Sequence, residues 1–448
     1  MIYKKLLSKT ISINLSFLLL LQQSIIAGDI VSDVSANSSF QATVEKAPNG
    51  IPVVNIVKPN ETGLSHNKFS DYNVNKEGVI LNNSNQREVN TQLAGYIYGN
   101  KNLAGRNTAS TILNEVTSRN KTELRGFTEV AGDRANVVVA NPNGIYINGA
   151  GFINTSKATI TTGNISATNG NINHRVENGT IEIDGDGLNV SNVDKAELYA
   201  KTVKLNAQIH AKDIDIITGK NNISSDGKIE KLSQEDTSKP EVSIDSSSLG
   251  GIYANKISLI GTQDGVGVNL PIEIAAQDNL KLSADGKITV DKAISQKSIE
   301  VTSISSDVDI NNIYGNSVKI EAKNELNNKN IIASKTDINL KATKIVNENV
   351  IASGVDEILK DSTNGSINIT SDELENKNTI YAKDNVNINT KEVVNTKESI
   401  IKSKKEINIT SENISNEDNI SFEAEENINL INQKKIVSNK INIVSKQA

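Results

Sequence analysis

Residues 280–301 read LKLSADGKITVDKAISQKSIEV and carry one full repeat of the pattern that fills the second half of the chain. Each repeat opens with an apolar, a polar and an apolar residue. Copies of this signature begin at Leu280, Ile299, Val318, Ile338, Ile367, Val386, Ile407 and Ile428, at steps of 19, 19, 20, 29, 19, 21 and 21 residues. A unit this short cannot bury its own apolar face, so a period of about 20 residues predicts a solenoid of stacked units.

The period also selects the kind of solenoid. About 20 residues of alternating pattern, broken by Asn, Asp, Ser and Gly, leave no room for a pair of helices. The sequence therefore predicts an all-β chain that forms a right-handed, single-stranded parallel β-helix, with apolar side chains stacked inside. We expect residues 29–90 to form an N-terminal cap that covers the open edge, and β-hairpins outside the helix. No comparable cap follows the last repeat, which predicts a shortened rod or fraying last coils.

The composition limits the partners and the chemistry. The 448 residues include 47 basic and 53 acidic side chains, interspersed along the chain, and the formal net charge is −6. Without a basic block, nucleic acid is not expected as a partner. The chain has no cysteine and only 3 histidines, which are far apart. The sequence therefore supports neither a zinc site nor nucleophilic catalysis, and we expect no cofactor.

Two changes in composition divide the chain. Residues 1–28 combine a basic leader with an apolar run from Ile11 to Leu21, which predicts a signal peptide. All 6 prolines lie at or before Pro271, and most of the 28 glycines do too. This shift predicts a turn-rich domain over residues 29–270 and a repetitive β-helix rod over residues 271–448.

A strand, a tight turn and a second strand follow one another within residues 135–163, which read ANVVVANPNGIYINGAGFINTSKATITTG. The apolar run of the first strand enters the turn at Asn141. Pro142 presets the second turn position, Asn143 is expected to take left-handed geometry at the third, and Gly144 releases the exit. Such a turn is common in all-β proteins, so by itself it indicates only a structural corner.

Several motifs between residues 48 and 163 resemble those of a known family, and they occur in the family's order. They are PNGIPVVNI (Pro48 to Ile56), GLSHNKFSDYNVNKEGVILNNS (Gly63 to Ser84), STILNEV (Ser110 to Val116), ELRGFTEVAGDRANVVVANPNGI (Glu123 to Ile145) and GAGFINTSKATITTG (Gly149 to Gly163). Together they are similar to the N-terminal secretion domain of two-partner-secreted exoproteins, the class of filamentous haemagglutinins and contact-dependent inhibition proteins. The later repeats resemble the rod of this family only in a general way.

Members of this family carry two Asn-Pro-Asn motifs, the first usually ending in Leu and the second in Gly-Ile. The second is intact at Asn141, Pro142, Asn143, Gly144 and Ile145, whereas the first reads Asn100, Lys101, Asn102 and Leu103, with lysine in place of proline. The resemblance implies that both motifs, together with Asn114 and Glu115 of the STILNEV segment, form the signal that the transporter recognises.

The same resemblance implies an export route and a partner. Proteins of this family are exported by Sec, stay unfolded in the periplasm, bind the POTRA domains of an outer-membrane β-barrel transporter, and fold outside. We therefore expect a secreted or surface-displayed adhesin of a Gram-negative bacterium, with a receptor on a host or neighbouring cell. A contact-dependent inhibition stalk without its toxin is the alternative.

A carbohydrate-active enzyme is a further alternative, because some β-helices cleave polysaccharides with paired carboxylates. Pairs spaced two residues apart occur at Asp184 and Asp186, at Asp213 and Asp215, and at Asp307 and Asp309. They lie in separate repeats and polar contexts, which favours solvated surface residues. The segment from Asp184 to Gly187 also hints at a calcium turn, but it lacks a repeated nonapeptide or a twelve-residue loop. We predict that the chain is not an enzyme and holds no metal.

Overall fold

The computed structural model describes residues 30–168, 171–233, 239–417, 419–438 and 441–445. Almost all regular structure in these residues is strand, and the strands wind into a parallel β-solenoid of about 15 turns. This confirms the prediction of an all-β, parallel β-helix. The predicted signal peptide at residues 1–28 lies outside the described residues. The described part of the chain contains no helix with the length and apolar character needed to cross a bilayer.

Successive turns stack their strands into three parallel ladders, which we call the first, second and third faces in chain order. The first face includes β3 (Pro52–Asn55), β5 (Val79–Asn83), β10 (Phe127–Gly132), β13 (Ala150–Ile153), β24 (Gly251–Ala254), β35 (Val350–Ser353), β38 (Thr379–Ala382), β41 (Ile400–Ser403), β43 (Ile420–Ala424) and β45 (Ile441–Ser445). The second face includes β4 (Leu64–Tyr72), β8 (Thr111–Val116), β11 (Ala135–Ala140), β14 (Thr155–Thr161), β25 (Lys256–Gly261), β27 (Leu280–Ala284), β29 (Ser298–Ser303), β31 (Ser317–Glu321), β33 (Ile338–Lys341), β36 (Ile367–Thr370) and β39 (Val386–Asn389). The third face includes β9 (Thr122–Leu124), β12 (Ile145–Ile147), β17 (Thr180–Ile183), β19 (Thr202–Leu205), β23 (Val242–Ser246), β34 (Lys344–Asn347), β37 (Glu373–Asn376) and β40 (Glu392–Asn395).

The longer strands turn a corner and belong to two faces each. They are β18 (Leu188–Ala200), β20 (Gln208–Thr218), β26 (Gly267–Ala276), β28 (Ile288–Ser295), β30 (Val308–Gly315), β32 (Glu325–Ser334), β42 (Ile407–Asn416) and β44 (Ile428–Ser438). Strand β26 spans the predicted domain boundary at residue 270, and its neighbours β23, β24 and β28 pair with it on both sides.

The repeat signatures of the sequence all fall on the second face, in register. Leu280 pairs with Ile299, Ile299 with Val318, and the pairing continues from repeat to repeat as far as Ile428. The one long step, from Ile338 to Ile367, contains a loop between β35 and β36 and leaves the pairing of these two residues intact. The period in the sequence is therefore the period of the solenoid.

One buried apolar cluster runs through the solenoid from Ile30 to Ala424. In β29, for example, Ile299 and Val301 are each 1% exposed, whereas Glu300 between them points outward. Each stacked turn adds such side chains to the cluster, and buried apolar area contributes about 25 cal/mol per Å². The free energy of folding therefore accumulates turn by turn.

Amide ladders line one inner corner of the solenoid. The Asn328 amide donates to Asn347 Oδ1 at 2.7 Å, and the Asn347 amide donates to Asn376 Oδ1 at 2.8 Å. A second run begins where the Asn395 amide donates to Asn416 Oδ1, also at 2.8 Å. These side chains are at most 5% exposed. Each of these hydrogen bonds joins one turn to the next, and the outer atoms of each run, such as Asn328 Oδ1 and Asn376 Nδ2, are buried without a partner among the described residues.

Strands outside the three faces form the cap and two additions. They are β1 (Ile30–Ser32), β2 (Thr43–Lys46), β6 (Glu88–Thr91), β7 (Gly95–Tyr98), β15 (Asn164–Thr168), β16 (Asn171–Val176), β21 (Asn221–Ser224) and β22 (Ile229–Lys231). Two short 3₁₀ turns, η1 (Ser38–Phe40) and η2 (Lys101–Leu103), complete the regular structure. β6 and β7 form a hairpin, and β15, β16, β21 and β22 form an antiparallel sheet. The predicted hairpins outside the helix are therefore present.

The cap is shorter than the predicted span of residues 29–90. β1 pairs antiparallel with β4, and β2 pairs antiparallel with β3, so these two strands cover the first turn. β4 and β5 already pair in parallel with β8 and β10. The prediction was wrong in extent because the polar residues of this region lie in turns between regular solenoid strands.

Candidate functional site

The intact second motif forms the tight turn between β11 on the second face and β12 on the third. Asn141 is fully buried, and its amide donates to the Asn120 carbonyl and to Thr122 Oγ1, both at 2.9 Å. Its Oδ1 accepts the Asn143 backbone N–H at 3.0 Å, and the Gly144 N–H donates to the Asn141 carbonyl at 3.1 Å. The first asparagine thus closes the turn and anchors it to the preceding turn of the solenoid.

The left-handed position in this turn is Gly144, with φ +111°, and not Asn143 as predicted. A Cβ on Gly144 would lie 3.2 Å from the Thr180 carbonyl oxygen of the next turn. Asn143 keeps a negative φ, and its amide donates to the Ser118 carbonyl at 2.8 Å. The prediction was wrong because glycine adopts positive φ at lower cost than asparagine, and glycine stands at the next position.

The first motif repeats this geometry despite its lysine. The Asn100 amide donates to the carbonyls of Ile56 and Asn82, both at 2.9 Å, and its Oδ1 accepts the Asn102 N–H at 2.9 Å. The Asn102 amide donates to the Ile56 carbonyl at 3.1 Å, and Leu103 is fully buried. Asn100 is the N-cap of η2, so Lys101 is the first residue of the 3₁₀ turn.

Lys101→Pro is expected to fold normally and to raise the free energy of unfolding by about 0.4–1 kcal/mol. Proline suits the first position of a helical turn, and Asn100 before it has φ −74° and ψ 116°, a conformation that proline allows. Chemical denaturation of the purified chain measures the change. A destabilised variant would show that this position needs its N–H.

The two motifs lie at different corners and share no hydrogen-bond partner. Asn100 binds one carbonyl that follows β3 and one within β5 on the first face. Asn141 binds Asn120, just before β9 on the third face, and Thr122, the first residue of β9. The structure therefore does not join them into one surface.

Asn114 and Glu115 lie in β8, directly beside the strand that leads into the second motif. Their Cα partners in β11 are Val139 and Ala140. Asn114 is fully buried, and its amide donates to the Tyr72 hydroxyl at 3.3 Å. The structure therefore places these two residues next to the second motif and not the first.

Glu115 carries the charged contacts of this region. Its Oε2 lies 2.7 Å from His66 Nε2 and 3.6 Å from Lys68 Nζ. Burial acts to raise the pKa of Glu115, but the hydrogen bond with His66 and the charges of His66 and Lys68 outweigh it, so the pKa lies below its usual value. Glu115 is therefore an ionised, paired carboxylate at neutral pH.

A second buried charge, which the sequence did not reveal, lies where the antiparallel sheet packs on the second face. Glu197 is 5% exposed, with Lys157 Nζ at 3.3 Å and Lys195 Nζ at 3.4 Å. Close by, the His174 ring meets the Tyr199 ring edge to face at 5.3 Å, and His174 Nδ1 is buried without a hydrogen-bond partner. Lys157, His174 and Glu197 lie on β14, β16 and β18, which only the fold brings together, so no single local motif predicts the cluster.

Two of the candidate acids of the sequence, Asp215 and Asp309, are paired with lysines. Asp309 Oδ2 lies 2.8 Å from Lys287 Nζ and 3.1 Å from Lys329 Nζ, and Asp215 lies 2.7 Å from Lys195 Nζ. Burial acts to raise the pKa of Asp309, but hydrogen bonds from lysine and asparagine hold it below its usual value. Within the described ranges, no three His, Asp or Glu side chains converge as metal ligands would.

The chain is similar to known proteins over the region that contains these motifs. The family described as "TPS secretion domain" matches residues 28–290. The 16S rRNA endonuclease CdiA of Enterobacter cloacae is 44% identical over 270 residues, which cover 60% of this chain and 8% of that protein. The tRNA nuclease CdiA of Escherichia coli strain NC101 is 45% identical over 255 residues, which cover 56% of this chain and 8% of the relative. The chain therefore matches only a small part of the length of these relatives.

A solved structure shows the same architecture. The crystal structure of the filamentous hemagglutinin secretion domain superposes with a TM-score of 0.56 and is 28% identical in sequence. The superposition covers 70% of this chain and 96% of that one. Nearly the whole of that domain therefore has a counterpart here.

Proposed function

The chain belongs to the family of TPS secretion domains, which are the exported partners in two-partner secretion, and we propose that the POTRA domains of a dedicated outer-membrane transporter recognise it. The family match over residues 28–290 is the observation that carries this proposal. We assign recognition and export to residues 29–270 and the rod to residues 271–448. In this family the exported proteins are secreted or held at the surface of Gram-negative bacteria.

The recognition signal acts on the chain before it folds. Asn141 and Leu103 are fully buried in the folded protein, and Asn100 is 2% exposed. A transporter that met the folded rod would find Leu103 buried and the amides of Asn100 and Asn141 hydrogen-bonded to the solenoid itself. An extended chain, by contrast, can add as a strand to the edge of a POTRA sheet and present the motif side chains.

Folding outside the cell gives the export its direction. Each new turn pairs only with its neighbours, so turns can add one at a time as the chain emerges. The buried apolar area of each added turn, at about 25 cal/mol per Å², opposes return through the pore. No catalytic activity is part of this proposed function, and Asp215 and Asp309 serve as ion-pair partners of lysines.

The exported rod acts as a filamentous adhesin that binds a receptor on a host or neighbouring cell. Its likeness to the filamentous hemagglutinin secretion domain supports this role. The second candidate is the stalk of a contact-dependent inhibition protein, which the CdiA relatives support. A neighbouring immunity-like gene would favour the second candidate, a stalk without its toxin.

Asn141→Ala combined with Asn143→Ala is expected to lower secretion through the cognate transporter at least about tenfold, the factor that about 1.4 kcal/mol of lost binding produces. The reason is the loss of both motif amides from the unfolded chain. Immunoblots of medium and periplasm measure export in cells that carry both partners, and pull-down on the isolated POTRA domains measures binding.

Asn395→Ala is the matched control, because Asn395 is also a fully buried, hydrogen-bonded amide but lies outside the motifs. The control should bind the POTRA domains like the parent chain. If the double variant bound the POTRA domains and was exported as well as the parent chain, the motif would have no role in recognition. An equal loss of export in control and double variant would assign the effect to folding.

A further inference from the structure

The hairpin of β6 and β7 presents a flat group of side chains that the transport function does not use. Tyr96 is 72% exposed and Tyr98 is 75% exposed, more than any other aromatic side chain in the described part of the chain. Glu88 lies directly opposite Tyr98 across the hairpin, and Asn90 lies opposite Tyr96. Opposed residues of a strand pair share a face, so these four side chains form one surface, the tyrosine face.

The tyrosine face is held in place by the solenoid beneath it. Ile97, between the two tyrosines, is 6% exposed and packs in an apolar cluster with Val53 and Ile80. The buried Glu129 carboxylate accepts the backbone N–H groups of Gln92 at 2.7 Å and Leu93 at 2.8 Å, which fixes the hairpin turn. A face fixed in this way loses little conformational entropy when a ligand binds.

The tyrosine face borders a groove of about 550 Å³ between the hairpin and the capping strands. This volume is within the range of small-molecule sites. Its charged walls are Glu45, Glu88, Lys46 and Lys101, two of each sign, and Asn55 adds an amide. The walls therefore carry no net charge to attract a polyanion or a polycation.

We propose that the tyrosine face and its groove bind a neutral oligosaccharide on a target cell. Exposed tyrosine rings offer an electron-rich apolar surface against which the C–H face of a sugar ring can stack. The Glu88 carboxylate accepts hydrogen bonds from sugar hydroxyls, and the amides of Asn90 and Asn55 both donate and accept them. Aromatic platforms edged by carboxylate and amide groups suit an uncharged polyol. An anionic glycan would instead need a surplus of lysine or arginine.

The test is a titration of the purified full chain with maltopentaose, cellopentaose, N-acetylchitopentaose and a β-linked galactopentaose, each up to about 10 mM, the range of weak single-site binding. The chain has no tryptophan, so its intrinsic emission comes from its 9 tyrosines, and comparison with the Tyr96 and Tyr98 variants isolates the signal of the face. Saturation-transfer NMR gives an independent signal. We expect at least one of these glycans to bind, and the heparin pentasaccharide used for comparison not to bind.

Tyr96→Ser combined with Tyr98→Ser is expected to weaken that binding at least about tenfold, and Tyr96→Phe combined with Tyr98→Phe to change it less than about threefold, because stacking needs the ring and not the hydroxyl. Both positions are exposed, so circular dichroism and thermal denaturation should match the parent. Tyr253→Ser is the matched control, since this ring stacks on His210 at 5.2 Å on another part of the first face.

Three results would overturn the proposal: no binding of any of the four neutral glycans, equal binding by the double serine variant, or binding of heparin alone. Binding is measured on purified protein and export is measured in cells, so this proposal and the secretion proposal can fail separately.

Discussion

Asn347→Asp is expected to destabilise the rod by about 3–5 kcal/mol at neutral pH, the range found when a buried charge is left uncompensated. The Asn347 amide donates to three acceptors, Asn376 Oδ1 at 2.8 Å and the carbonyls of Asn349 and Thr379 at 3.1 Å each. A carboxylate would donate to none of them and would set its charge against their oxygens. Guanidinium denaturation measures the loss.

The pH dependence of the stability of this variant distinguishes the effect of the new charge from the effect of the changed side-chain shape. Burial would raise the pKa of the new carboxyl, so acid should protonate it and restore part of the lost stability. Asn339→Asp is the matched control, because Asn339 is exposed and its Oδ1 accepts from the Asn368 amide, a role that a carboxylate keeps. The control should change stability by less than about 0.5 kcal/mol. Equal denaturation midpoints for the two variants would contradict a structural role for the inner ladder.

The free energy of unfolding is expected to fall by about 3 kcal/mol between neutral pH and pH 4 because of His174 alone. Burial lowers the pKa of His174 from 6.5 to about 4, with Glu197 opposing this effect and Lys157 adding to it. Between pH 6.5 and about pH 4, His174 is protonated in the unfolded chain and neutral in the folded chain. The contribution of His174 is therefore complete above pH 6.5 and is lost as the pH falls toward 4.

His174→Phe should flatten this pH dependence, because it keeps a ring against Tyr199 and removes the proton-binding nitrogen. Thermal denaturation of both chains at several pH values measures the difference, and Glu197 contributes to both curves. His210→Phe, at an exposed position, is the control and should follow the parent. Parallel curves for the parent and His174→Phe would show that burial of His174 does not govern the acid sensitivity.

The repetitive half of the fold could be predicted because each repeat packs against neighbouring repeats of the same pattern. Ile299 pairs with the equivalent residues of the turns before and after it. The same requirement for a buried apolar residue therefore recurs in each turn and appears in the sequence as a period. The motif turns could be predicted because the bonds that close them are local, such as the Asn143 N–H to Asn141 Oδ1, whereas the bonds that anchor them to earlier turns of the solenoid join distant residues. The family resemblance predicts a signal role for Asn100 and Asn141, which no contact in the folded chain indicates.

The irregular parts depend on contacts between distant segments. β16 pairs with β21, which lies almost two turns of the solenoid further along the chain, and together they bury His174 against Tyr199. Nothing in the local pattern of either strand specifies that partner. The tyrosine face escaped prediction because alternation alone does not tell which side of a hairpin faces the solenoid.

The loop between β35 and β36 lengthens one repeat while every rung on either side keeps its partner. A gene that gains or loses one whole repeat would therefore change the reach of the rod by about 4.8 Å, one strand spacing, without disturbing distant turns. The turns at Asn100 and Asn141 would stay as they are. The length of the rod and the geometry of these two turns are thus separately heritable, and selection can adjust the first without altering the second.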